Sequence, residues 1–109
     1  MSEQAMTLIV FFNLKPDISE IDYLTWAKEV DLHTVNQLNS VTSFNIFKGL
    51  KILGKQNTSP WDYFEVIRIK SEKQFLQDIQ HEEMQKVICQ FEGFAANANF
   101  ICTQDITSL

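Results

Sequence analysis

MTLIVFFNL, running from Met6 to Leu14, is a short run of β-branched, aromatic and aliphatic residues. That composition suits an extended, pleated strand. Side chains alternate across a strand, so Leu8, Val10 and Phe12 share one face while Ile9 and Phe11 share the other. Both faces are apolar, and both need cover. The rest of the chain offers helices for one side only. A second subunit is therefore expected on the other.

Working outward, Lys15-Pro16-Asp17 ends this strand, because proline cannot extend a ladder. Ser19 reads as a helix N-cap, and the acids Glu20 and Asp22 suit the positive end of a helix. The helix is expected to run to about Asn39, burying Tyr23, Leu24, Ala27, Val30, Thr34 and Leu38. Trp26 and His33 lie along one edge of that stripe. Asp31 lies near the other edge and is either a buried acid or a solvated carboxylate, the solvated form being the expected one. VTSFNIFKGLKI, Val41 to Ile52, reads as a second strand with a bulge or bend at Gly49. GKQNTSP, Gly54 to Pro60, is a loop.

WDYFEVIRIK, Trp61 to Lys70, reads as the third strand. Phe64 and Val66 share one face with Asp62 and Arg68; Trp61, Tyr63, Glu65, Ile67 and Ile69 share the other. Ser71 and Glu72 open a second helical region. Its two apolar stripes, Phe75, Leu76 and Ile79, then Met84, Val87, Ile88 and Phe91, differ in phase, so a break is expected near Gln80 and His81. Gly93 fits the helix end, and ANFICTQDI, Ala98 to Ile106, reads as the last strand. Residues 1 to 5 are a polar start expected to fray. The order β-α-β-β-α-β is the ferredoxin-like α+β pattern, an antiparallel sheet with both helices on one face. The chain is expected to form a single domain over 1–109.

Composition narrows the function classes. Of 109 residues, 45% are hydrophobic and 21% charged, as in an ordinary globular protein. A formal charge of −5 without a Lys/Arg cluster argues against nucleic acid or an anionic membrane as partner. The N-terminus has no basic segment followed by a long apolar run, so neither a signal peptide nor a membrane span is expected. Cys89 and Cys102 are far apart and outside any Cys-x-x-Cys pair, and read as reduced, buried thiols of a cytoplasmic protein. Nine Phe, two Trp and two Tyr would fill a core and could also line a site for a flat, apolar molecule.

Two residues are candidates for acid–base work. His33, if its imidazole faces an apolar cleft, would act as a base; otherwise it is a partly exposed helix histidine. Glu65 sits mid-strand among apolar neighbours, where a carboxylate needs a partner or a raised pKa. Its alternative is a cross-strand Lys or Arg partner. Tyr23, Trp26, Trp61 and Tyr63 are candidates to stack on a planar ligand, or else pack the core. Asn13 either hydrogen-bonds a ligand or ends the first ladder. His81 is expected at the N-terminal end of a helix. Two histidines without local spacing make a metal site improbable. No Gly-rich phosphate loop, nucleophile elbow or Cys-His pair is present.

Taken whole, from TLIVFFNLKP through the helix with Trp26, SVTSFNIFKG, PWDYFEVIRIKSEKQF and HEEMQKVICQFEGF, the chain resembles the dimeric α+β barrel superfamily. FEVIRIKSEKQFLQDIQHEEMQ is similar to the matching segment of small antibiotic-biosynthesis monooxygenases. WDYFEVIRI and the chain length resemble the RedY-like (HapK-type) proteins found with the enzymes of prodigiosin-type red tripyrrole pigment biosynthesis. The resemblance implies a cytoplasmic homodimer of secondary metabolism that binds or converts an aromatic or pyrrole-type intermediate without a cofactor. It carries over no catalytic set residue by residue. A cofactor-independent monooxygenase and a non-catalytic binding or scaffolding module are the alternatives.

Overall fold

The structure, a computed structural model, describes residues 4–107, so the first three residues of the polar start lie outside the described residues. Strands β1 (Met6–Leu14), β2 (Val41–Lys48), β3 (Tyr63–Ile69) and β4 (Ala95–Thr103) form one sheet in the order β2-β3-β1-β4. Every neighbouring pair is antiparallel. The sequence's opening strand is thus interior, as its apolar character on both faces requires. The ferredoxin-like α+β architecture is the one the element order implies.

The first helical arm consists of α1 (Glu20–Trp26), a π-helical turn (Ala27–Asp31) and α2 (Leu32–Asn36). Ser19 caps it, its hydroxyl accepting the Asp22 N–H at 3.4 Å. The second region divides into α3 (Glu72–Asp78) and α4 (Glu82–Phe94), with His81 as the N-cap of α4. The break falls where the two apolar stripes change phase. Ser71 caps α3, accepting the Gln74 N–H at 3.0 Å.

All helices cover one sheet face. Leu8, Val10 and Phe12 of β1, Tyr63, Glu65, Ile67 and Ile69 of β3 and Phe44 of β2 are buried there. The Phe12 ring anchors this layer, with the Phe91 centroid at 5.1 Å and those of Tyr23 and Tyr63 at 5.9 Å. The outer face stays uncovered within one chain. Ile9, Phe11, Phe64 and Val66 are only half-buried, and Phe47 and Ile101 are 53% and 44% exposed.

Strand ends differ from the expected ones for local reasons. β2 stops at Lys48 because Gly49 leaves the ladder, its N–H donating to the Asp62 carbonyl at 2.8 Å. A Cβ at Gly49 would lie 2.6 Å from the Ser59 hydroxyl oxygen and closer still to the Trp61 carbonyl, so only glycine fits this approach. β3 begins at Tyr63 rather than Trp61. The Ser59 hydroxyl donates to the Trp61 carbonyl and accepts the Trp61 N–H, a local turn that breaks strand alternation. The Trp61 ring consequently lies against Phe11, centroids 4.7 Å apart, on the outer face and not beside Tyr63 and Glu65. β4 begins at Ala95 instead of Ala98, because α4 runs straight into it past Gly93.

The cysteines are a second correction: both are free but exposed, not buried. On α4 the stripe Met84, Val87, Phe91 faces the sheet, which turns Cys89 outward. Cys102 lies on β4, the edge strand.

Candidate functional site

Between the helices and the sheet lies a cavity of about 680 Å³. β3 supplies its floor. Strand alternation sends Glu65 to the helix side with Ile67 and Ile69, and its ladder partners are Val10 and Ile46. A carboxyl therefore sits among apolar side chains, 2% exposed. No Lys or Arg faces it, and its Oε2 has no hydrogen-bond partner among the described residues.

The first helical arm supplies a second acid. Its π-helical turn closes with the Leu32 N–H donating to the Ala27 carbonyl. A wide turn slows the rotation of side chains about the axis, so buried positions recur every four residues: Tyr23, Ala27, Asp31 and Val35. Asp31 is thereby carried into the cavity, 5% exposed, where solvent exposure was expected. Single π-turns of this sort are frequent at functional sites.

β4 closes one side through a bulge. Its register against β1 shifts between Phe11 and Asn13, and Asn97 takes a left-handed backbone with φ of 58°. Asparagine tolerates that conformation better than most residues. The extra residue breaks alternation, so Ala95 and Asn97 before it and Ala98, Phe100 and Cys102 after it all face the cavity. Helices α3 and α4 complete the wall with Phe75, Ile79, Met84, Val87, Ile88 and Phe91.

The electrostatics follow from burial. Desolvation pushes the Asp31 carboxyl up to about 7. It pushes Glu65 well above the ordinary carboxylate range, and the negative field of Asp31 pushes it further. The Tyr23 hydroxyl, buried and without a hydrogen-bond partner among the described residues, is raised by desolvation and by the charges of Glu65 and Asp31. Two carboxyls that keep protons near neutrality can each give a proton to a bound molecule or take one from it. Among the described residues, no cluster of His, Cys, Asp or Glu could hold a metal ion.

Of the residues singled out from sequence, only Glu65 lines this cavity. His33 is exposed on α2, with its Nε2 3.1 Å from the Gln37 side-chain nitrogen. Tyr23 and Tyr63 are core residues, their rings 4.8 Å apart, and the Tyr63 hydroxyl donates to Glu20 at 2.5 Å. Trp26 packs on Phe94 and Phe91 while its indole N–H donates to Gln90 at 2.8 Å. Asn13 lies where the ladder with β3 ends, while pairing with β4 runs on through it: its Oδ1 accepts the Asp62 N–H and the Asp62 carboxylate accepts the Leu14 N–H, both at 2.9 Å. Asp31 is the residue sequence reasoning misplaced. The recurrence of Tyr23, Ala27, Asp31 and Val35 at steps of four was its one signal.

A four-stranded antiparallel sheet whose covered face holds an acid-bearing apolar cavity defines a small α+β protein of ferredoxin-like fold. The chain belongs to the family described as REDY-like protein HapK, whose model matches residues 6–106. Among solved structures it is similar to HapK from Hahella chejuensis, at 22% identity, 93% coverage of both chains and a TM-score of 0.72. A hydroxynitrile lyase from Passiflora edulis shares the fold at 11% identity, 94% coverage of both chains and a TM-score of 0.76. So does a dimeric ferredoxin-like protein of unknown function from Thermobifida fusca, at 10% identity, covering 94% of this chain and 92% of that one, with a TM-score of 0.70. Comparison with curated proteins finds no match.

Proposed function

We propose that this chain is a cytoplasmic homodimer that holds a flat aromatic or pyrrole-type intermediate of prodigiosin-type pigment biosynthesis and moves a proton on it without a cofactor. The observation that carries this reading is the Glu65 carboxyl, buried, unpaired at Oε2 and facing a cavity otherwise walled largely by apolar side chains. Such a group costs folding free energy unless something uses it. Membership of the REDY-like family supports the pyrrole-type ligand. Dimers among the fold's relatives, together with the uncovered apolar outer face, support pairing.

Glu65 and Asp31 carry the acid–base role, and His33, on the surface, is left out of it. In its protonated form Glu65 gives a proton to an electron-rich ring carbon or nitrogen. As carboxylate it takes the proton back, and the negative field of Asp31 favours that return. The walls of Phe75, Phe91 and Phe100 hold the ring plane.

The test is deuterium exchange at the ring carbons of a bipyrrole aldehyde, followed by NMR at neutral pH. The protein is expected to bind it and to speed exchange, and Glu65→Gln to slow the catalysed rate by about a hundredfold or more. Binding with exchange no faster than in buffer would reduce the chain to a binding module. Oxygen uptake with a phenolic substrate would instead favour the monooxygenase alternative.

A further inference from the structure

The acidic side chains lining the cavity come from four separate elements. Asp31 faces it from the first helical arm, Glu65 from β3, Glu72 from α3 and Glu92 from α4. Among the described residues no Lys, Arg or His lines it; Cys102 and Asn97 are the remaining polar contributors, from β4. Glu65 and Asp31 are buried and lie deepest, whereas Glu72 and Glu92 are exposed and sit where the cavity meets solvent. Glu20 and Lys48, an ion pair at 2.9 Å that also takes the hydroxyl of the core residue Tyr63, form a separate network that does not line the cavity. Glu72 and Glu92 at the mouth disfavour an anion, and a neutral ligand offers the two buried carboxyls no positive charge to ionise against, whereas a cation does.

The geometry points to a cationic ligand: the cavity selects a flat aromatic nitrogen base in its protonated, positively charged form, with the N–H group donating to Glu65 Oε2. This rests on the reading of the cavity as a ligand site and adds the charge of its occupant. Four acids facing apolar walls match a molecule that is greasy over its faces and positive at one edge. Glu72 and Glu92 draw the cation to the entrance, and Glu65 with Asp31 receives it. The proton balance is explicit. A carboxylic O–H at the floor ionises, its proton leaves to buffer, the ligand's N–H bond stays intact, and an N–H to carboxylate hydrogen bond forms. Binding therefore releases a proton, and affinity rises with pH for as long as the floor carboxyl is protonated in the free protein.

Three matched probes test this: naphthalene amidine, naphthalene carboxamide and naphthoate, which are cationic, neutral and anionic at the same size. Calorimetry in two buffers of unlike ionisation heat should show the amidine binding at least about tenfold more tightly than the amide. Its apparent heat should differ between the buffers, and naphthoate should not bind. In Glu65→Gln the amidine-to-amide ratio should fall towards one. Equal or tighter binding of the amide overturns the charge preference while leaving the cavity a ligand site. An amidine preference that survives both Glu65→Gln and Asp31→Asn overturns it too. Failure of all three probes to bind a folded protein overturns both readings, because the cavity is large enough for each.

Discussion

Raising the pH from about 5 to about 8 is expected to destabilise this protein substantially, the reverse of ordinary acid unfolding. The cause is that Asp31 and Glu65 are protonated when folded and ionised when unfolded. Asp31 has an ordinary value of 3.8 and a folded value of about 7. Its stabilising contribution is fully present below 3.8, declines as pH rises through the interval, and is gone above about 7. Each such group changes stability by about 1.4 kcal/mol per pH unit within its interval, so Asp31 alone accounts for about 3 kcal/mol between pH 5 and its folded value. Glu65 acts in the same direction, starting above its ordinary 4.5. Urea midpoints should fall with pH in the native chain. In Asp31→Asn and Glu65→Gln the fall should be shallower, with the variants more stable than the native chain at the alkaline end. A midpoint that rises across this range would mean that neither carboxyl is held neutral by the fold.

The second large effect is on assembly. Phe64→Asp places a charge at the centre of the apolar outer face, between Phe11 and Phe47 in the ladder. If two sheets meet there, a carboxylate in that layer costs several kcal/mol, roughly a thousandfold or more in dimer affinity. Sedimentation equilibrium should give the native chain twice its 12.7 kDa mass and the variant that mass once. Far-UV circular dichroism should stay unchanged, since the Phe64 side chain points away from the helix-covered core. A native chain that sediments as a stable monomer at high concentration would remove the reason for an apolar outer face.

The fold was legible because its signals are local. The apolar alternation of Met6–Leu14, the serine caps at 19 and 71, and the phase change near His81 each act over a few residues. They survive folding unaltered. Boundaries moved where tertiary contacts intervened: Gly49 leaves its strand to meet the backbone at Trp61 and Asp62. Glu65 was legible as a buried carboxyl because an acid at a buried strand position is conspicuous under simple alternation. Asp31 was not, because its burial depends on one wide helical turn that no residue between Ala27 and Asp31 announces. The same holds for β4, whose bulge at Asn97 turns two successive residues to one side. Trp61 misled for the converse reason, since alternation was extended past the point where the strand begins.

Everything functional here depends on two carboxyls keeping their protons inside the fold. Carbon-13 NMR of the aspartate and glutamate side-chain carboxyls, followed through a pH titration of the native dimer or monomer, reads that property directly. Asp31 should titrate near 7 and Glu65 well above the other glutamates, with the two curves coupled. Both titrating in the ordinary range around 4 would contradict the account, because a cavity that hydrates its carboxyls freely has neither the stored proton nor the pull on a cation described above.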